Sequence, residues 1–167
     1  MTPWMKPEEI ELIKNYLFTA DKTVLEWGSG GSTVEFSPFS KLWYSIEHNS
    51  QWFEKVKKET EDLKNVRLHY VPPEIISPKR PSKYEDWESY IEFPRILNKK
   101  FDVILIDGRA RPECAIEAKR HIKKDGVVII HDFYDKYRPH YKIVLEHYDI
   151  VDQITTRPGL VVLKKKA

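Results

Sequence analysis

Cysteine is almost missing from this chain. Cys114 is the only one in 167 residues, so an intrachain disulfide framework and a multi-cysteine metal site are both excluded. Its expected place is the buried face of a helix, as a small apolar residue. Long apolar runs are missing too. None approaches the roughly 20 residues that span a bilayer, so no membrane partner is expected. The opening Met1-Thr-Pro-Trp-Met-Lys-Pro7 lacks the basic-then-apolar order of a signal peptide, and the expectation is a cytoplasmic protein. Charge of one sign is scarce. Twenty-eight Lys and Arg stand against 26 Asp and Glu, a net of +2, which makes no electrostatic case for a nucleic-acid partner. The place to look for a basic stripe would be Lys79, Arg80 and Lys83. Repeats, low-complexity tracts and internal linkers are absent, and the length suits one domain over residues 1–167.

What is present centres on Thr23-Val-Leu-Glu-Trp-Gly-Ser-Gly-Gly-Ser-Thr33. Val24 and Leu25 read as a short buried strand. Gly28, Gly30 and Gly31 form a turn that a ligand can approach closely, because these residues carry no Cβ. Ser32 or Thr33 caps the helix that follows, and the free N–H groups of that helix end favour an electron-rich ligand. In an open α/β sheet such a loop holds a nucleotide-like cofactor. Thr33 stands where a dinucleotide fingerprint has its third glycine, which argues against NAD. Glu26, at the strand end, suits a ligand with a positive end. A second strand, Lys41 to Glu47, ends in an acid that can hold both hydroxyls of a ribose. Ribose, adenine and a cationic amino-acid end together describe S-adenosylmethionine.

Four stretches in register carry a family resemblance over nearly the whole chain. Glu26-Trp-Gly-Ser-Gly-Gly-Ser-Thr33 resembles motif I of the class I S-adenosylmethionine-dependent methyltransferases. Glu47 resembles their ribose-binding acid, Phe101-Asp-Val-Ile-Leu-Ile-Asp-Gly108 their fourth strand, and Gly126-Val-Val-Ile-Ile-His-Asp132 their fifth. The resemblance implies a Rossmann-like α/β domain. Its mostly parallel seven-stranded sheet would carry helices on both faces and end in an antiparallel hairpin. The cofactor-binding set would be Glu26, Trp27, Gly28, Ser29, Gly30, Gly31, Ser32, Thr33, Glu47, His48 and Asp107. Asp107, His131 and Asp132 would border methyl transfer. Asp107 with Asp132 also resembles the acid pair that holds a divalent cation such as Mg²⁺ in metal-dependent O-methyltransferases. This chain departs from that pattern, with Gly108-Arg109 and Phe133 where a further acid and an amide usually stand.

The remaining elements follow from periodicity and punctuation. Pro7 to Phe18 reads as an amphipathic helix, with Glu8 and Glu9 at its positive end. A helix capped by Asn49 or Ser50 runs to about Asp62, and Val66 to Val71 forms a third strand. Pro72 to Pro81 is a stiff excursion, followed by a helix from the capping box Ser82-Lys-Tyr-Glu85 that Pro94 ends or kinks. Residues 72–98 thus read as an acceptor lid or as a plain surface insertion. Asp125-Gly126 reads as a turn before a strand from Val127 to Ile130, and Pro139 to Tyr148 as a helix. Arg157-Pro-Gly159 reads as the turn of a hairpin.

Methyl transfer from a sulfonium needs alignment and, for a hydroxyl acceptor, removal of a proton. His131 and Asp132 are the candidate bases. Arg109 and Arg111 could bind an anion on the acceptor, and Trp27, Trp52 and Tyr134 could contact adenine or acceptor. The expected acceptor is a hydroxylated small molecule or a sugar, methylated on oxygen. The competing readings are a non-catalytic module that senses the cofactor, a nucleic-acid methyltransferase and a nicotinamide-dependent oxidoreductase. With no separate acceptor domain, the expectation is either a large acceptor bound on an open surface or a second subunit, as a homo-oligomer, completing the site.

Overall fold

The computed structural model describes residues 1–74, 84–133, 136 and 138–167. Helix α1 (Pro7–Leu17) leads into strand β1 (Thr23–Trp27), helix α2 (Gly31–Phe36), strand β2 (Leu42–Glu47), helix α3 (Ser50–Glu59) and strand β3 (Val66–Tyr70). After a 3₁₀ turn (Tyr84–Asp86) come the short helices α4 (Glu88–Glu92) and α5 (Pro94–Leu97), then β4 (Phe101–Ile106), α6 (Arg111–Ala118) and β5 (Ile122–His131). A 3₁₀ helix, Pro139–Glu146, precedes the hairpin of β6 (Tyr148–Ile154) and β7 (Leu160–Lys165).

The sheet has seven strands in the order β3-β2-β1-β4-β5-β7-β6. Strands β1 to β5 pair in parallel, and β7 pairs antiparallel with both β5 and β6. The order reverses between β1 and β4, the place where an open α/β sheet forms a ligand crevice at its carboxyl edge. The Rossmann-like fold with its terminal hairpin is therefore present as the sequence implies.

Side chains alternate along each strand, so one strand feeds two cores. Leu25, Trp27, Ile104, Ile106, Val128 and Ile130 pack with Tyr90, Cys114, Ala115 and Val144 on one face. Val24, Val103, Leu105, Val127 and Ile129 pack with Ile13, Leu17 and Phe36 on the other. Cys114 is fully buried on α6, and burial pushes its thiol well above the ordinary range.

Three boundaries differ from the sequence reading. Asp125-Gly126 lies inside one long strand, because the β4–β5 register shifts there and absorbs the extra residues as a bulge. A side chain on Gly126 would stand 2.8 Å from the Asp102 carbonyl oxygen, so the turn-type sequence marks close backbone approach. The helix expected from Pro139 to Tyr148 is 3₁₀ rather than α and ends at Glu146, and Tyr148 already belongs to β6. The helix expected from Ser82 is split into a 3₁₀ turn (Tyr84–Asp86), α4 and α5, with Pro94 opening the last. Residues 75–83, with the capping residue Ser82, the basic stripe of Lys79, Arg80 and Lys83, and most of the proline-rich excursion, lie outside the described residues, as does Tyr134.

The short helices that follow are anchored to the body of the fold. Arg95 of α5 grips the buried carboxylate of Glu117 on α6 with two bonds of 2.8 Å, and His121 adds a third at 2.8 Å. Glu117→Ala is expected to cost about 2 kcal/mol, since it strips a mostly buried carboxylate from its charged partners. Chemical denaturation would measure the loss.

Candidate active site

The glycine loop starts where β1 stops pairing. The Gly28 amide donates to the Ile46 carbonyl at 2.9 Å, and the Asp107 amide donates to the Trp27 carbonyl at 2.9 Å. Gly28 has a φ of +93°, and a Cβ there would meet the Gly108 Cα at 2.5 Å. The loops after β1 and β4 thus touch backbone to backbone. At Gly31 a Cβ would fall 2.2 Å from Thr2, so residues 2–4 lie as a strap across the loop.

These elements enclose a cavity of about 630 Å³ at the carboxyl edge of the sheet. Gly28, Ser29, Gly30, Gly31, Ser32, Glu47, His48, Asp107, His131 and Asp132, all expected at a site from the sequence, line it. Glu47 is buried and held from three sides. Its Oε1 accepts from the His48 and Asn49 amides at 2.9 and 2.8 Å, and its Oε2 accepts from the Ser29 hydroxyl at 2.9 Å. Trp52, opposite, donates its indole N–H to the Ser29 carbonyl at 2.7 Å.

Three residues of the expected cofactor set do not line the cavity. Glu26 shares the β1 face of Val24 and turns toward α2, fully buried. There it accepts hydrogen bonds from the hydroxyls of Ser32, Thr33 and Ser45 and from the Trp43 indole. Burial pushes its pKa up to about 7 although all four donors pull the other way. It is thus the pin of the loop and does not face a ligand's positive end. Thr33 carries the same correction: its hydroxyl accepts from the Gly30 amide at 3.0 Å and donates to Glu26. Trp27 lies on the opposite face, buried, with its indole donating to the Tyr90 carbonyl at 2.9 Å.

At the ends of β4 and β5 the expected acids do come together, but with a cation already between them. Arg111 lies 3.5 Å from Asp107 Oδ1 and 3.4 Å from Asp132 Oδ2, and its guanidinium also donates to the Gly108 and His131 carbonyls at 3.0 and 2.6 Å. Arg138 donates to Asp132 Oδ2 at 2.5 Å. The pair therefore does not fit a divalent cation, since a guanidinium fills the position between the carboxylates. Among the described residues no group of three or more His, Cys, Asp or Glu is arranged to hold a metal ion. Arg109 differs from Arg111. It is exposed at the cavity wall, and its guanidinium has no hydrogen bond or ion pair among the described residues.

His131 is also not free. Nδ1 lies 3.0 Å from Asp107 Oδ1 and Nε2 lies 3.2 Å from Glu9 Oε2. Two carboxylates on one ring are both satisfied only when both nitrogens carry a proton. Burial by itself lowers the pKa, but the hydrogen bond to Asp107 and the charges of Asp107 and Glu9 outweigh it and leave the value raised. This geometry works against His131 as a general base.

Sequence reasoning missed Glu9, which it read as a favourable charge at a helix start, and the strap residues Thr2, Pro3 and Trp4. No local pattern signals either. Trp4 is 88% exposed, yet it lines the cavity 6.1 Å from the Trp52 ring.

No protein-family model matches the chain, and no curated protein matches it. Solved structures do. A methyltransferase-like protein from Silicibacter pomeroyi is 22% identical with a TM-score of 0.70, covering 98% of this chain and 88% of its own. A putative caffeoyl-CoA O-methyltransferase from Staphylococcus aureus is 17% identical with a TM-score of 0.70, covering 99% and 86%. The N-methyltransferase NodS from Bradyrhizobium japonicum, in complex with S-adenosyl-L-homocysteine, is 12% identical with a TM-score of 0.67, covering 99% and 89%. The fold is thus the Rossmann-like methyltransferase fold. Among the described residues no helix is long and apolar enough to cross a membrane.

Proposed function

We propose that the chain is a methyltransferase that binds S-adenosylmethionine in this cavity. The observation that carries the reading is Glu47. It is a carboxylate 2% exposed, held by three donors at the end of β2 and fixed to the glycine loop through Ser29. Such an acid suits the two hydroxyls of a ribose. The S-adenosyl-L-homocysteine complex of a protein with the same fold supports it. Bound there, the sulfonium supplies an already activated methyl group, and the chain's own task is alignment.

The acceptor we infer is a hydroxylated small molecule or a sugar, methylated on oxygen. Asp132 supports this, because Oδ1 accepts no hydrogen bond among the described residues while Oδ2 is held by arginines. It is then the group that receives the acceptor's proton. Arg109 favours a second reading, an acceptor that arrives as a carboxylate and needs no base.

Calorimetric titration with S-adenosylhomocysteine, with NADH as control, tests the cofactor. Micromolar affinity for the first and none for the second are expected, and NADH binding would return the oxidoreductase reading. Labelled S-adenosylmethionine offered with phenols, sugars and carboxylic acids then sorts the acceptors. With a hydroxyl acceptor, Asp132→Asn is expected to lower kcat about a hundredfold or more and leave S-adenosylhomocysteine affinity unchanged. Binding without turnover across that panel would favour the sensor reading.

A further inference from the structure

Glu9 is the outlier of the amino-terminal helix. Its neighbour Glu8 is exposed, as helix-start charges usually are, whereas Glu9 is fully buried. Its Oε2 accepts from the Lys6 amide at 2.8 Å and meets His131 Nε2 at 3.2 Å, while its Oε1 is buried with no partner. Burying a carboxylate this way is costly unless something is gained from it. What it reaches is the cavity wall. The line Glu9–His131–Asp107 runs from α1 through the end of β5 to the end of β4, and Asp107 Oδ1 is the far end of it. Asp107 Oδ2 then accepts no hydrogen bond among the described residues, on a side chain that lines the cavity.

We propose that Glu9 is a positioning residue for the cofactor site, holding His131 between two carboxylates so that Asp107 keeps one orientation and leaves Oδ2 for the ligand. The inference rests on the methyltransferase reading of the cavity and adds a residue that its motifs do not contain. Three features carry it. The spacing of both ring nitrogens to carboxylates makes the imidazolium the form that satisfies both. Glu9 sits in the first turn of the helix that follows the strap, so the cavity wall is tied to α1 as well as to the sheet. Arg111, which donates to the His131 carbonyl at 2.6 Å and sits 3.5 Å from Asp107 Oδ1, holds the same array from the α6 side.

The groups facing His131 are Glu9 from α1, Asp107 from β4 and Arg111 from α6, with Asp132 following it in the chain. The two carboxylates keep the ring protonated to higher pH than usual, and Arg111 opposes them. The array is thus whole on the acid side and opens as pH rises through the raised value.

The test has two arms. Nitrogen-15 spectra of the wild-type ring at pH 6 are expected to show both nitrogens protonated, and a neutral ring there would overturn the proposal without any variant. Glu9→Gln keeps the size and still accepts both bonds, but removes the charge. It is expected to shift the His131 midpoint to lower pH and to weaken S-adenosylhomocysteine about tenfold at neutral pH, the size of one hydrogen bond to a charged group. The deficit should shrink as pH falls and the ring regains its proton; a merely structural lesion would persist. If midpoint and affinity both match wild type, Glu9 does not position the site and the cofactor reading stands. If the wild type binds no S-adenosylhomocysteine at any pH, both fall together.

Discussion

Glu47→Ala is expected to weaken S-adenosylhomocysteine binding by at least about a hundredfold. Two ribose hydroxyls donating to one carboxylate form two charge-assisted hydrogen bonds, each worth about 1.5 kcal/mol or more, and together they amount to about two decades in Kd. The loss reaches further than the ligand. The Ser29 hydroxyl and the His48 and Asn49 amides all lose their acceptor, so the glycine loop slackens where the cofactor would rest. Glu47→Gln separates the two effects. It keeps one oxygen for the amides and fills the same volume, so the loop should hold while the charge-assisted part of the affinity goes. Calorimetry on both variants, with a thermal melt to confirm folding, decides the matter. An alanine variant that binds like wild type would remove the ribose from Glu47 and the cofactor from this cavity.

The second large effect is on stability and belongs to Glu26. Alanine there would orphan four buried donors at once, on Ser32, Thr33, Trp43 and Ser45, and is expected to cost about 4 kcal/mol of unfolding free energy. The same group predicts a pH trend. Unfolded, its carboxyl ionises near 4.5; folded, burial delays ionisation to about 7. Its stabilising contribution is therefore complete below about pH 4.5 and is lost as pH climbs through 7, by about 3 kcal/mol. His131, also raised, adds to the decline in the same direction. Glu26→Gln cannot ionise, so urea denaturation between pH 5 and 8 should give a flatter profile than wild type. Parallel profiles would show that Glu26 keeps one protonation state throughout.

The sequence announced the crevice but not its walls. The strand-loop-helix pattern around Gly28, the acid ending β2 and the apolar runs of β4 and β5 are local signals, and the sheet brings them to one edge. The fate of Glu26 was not legible for a physical reason. From Val24 to Trp27 the strand is buried on both faces, so hydrophobic alternation is missing and nothing in the residues says which face the carboxylate takes. The split between Arg109 and Arg111 was hidden for a related reason. Two residues apart where a loop passes into α6, one bridges two acids and the other meets solvent. Glu9 was beyond reach altogether, because its partner His131 lies 122 positions away. The Asp125-Gly126 pair shows the reverse error, where strong turn chemistry was absorbed as a bulge in a longer strand.

The touching of Gly28 with Gly108, and of Gly31 with Thr2, has a consequence for how the protein comes into being. The cavity wall draws on residues from Thr2 to Pro158, and each contact closes a long stretch of chain. Such contacts form late, because the entropy of closure is lost before the contact returns anything. During synthesis, β1, β2 and β3 can emerge and meet while the crevice still lacks its far side, which arrives only with β4 and β5. A nascent chain on the ribosome would thus acquire secondary structure well before it could hold a nucleoside. Competence to bind is the final event of its assembly, and ligand capture by arrested chains of increasing length would mark that moment.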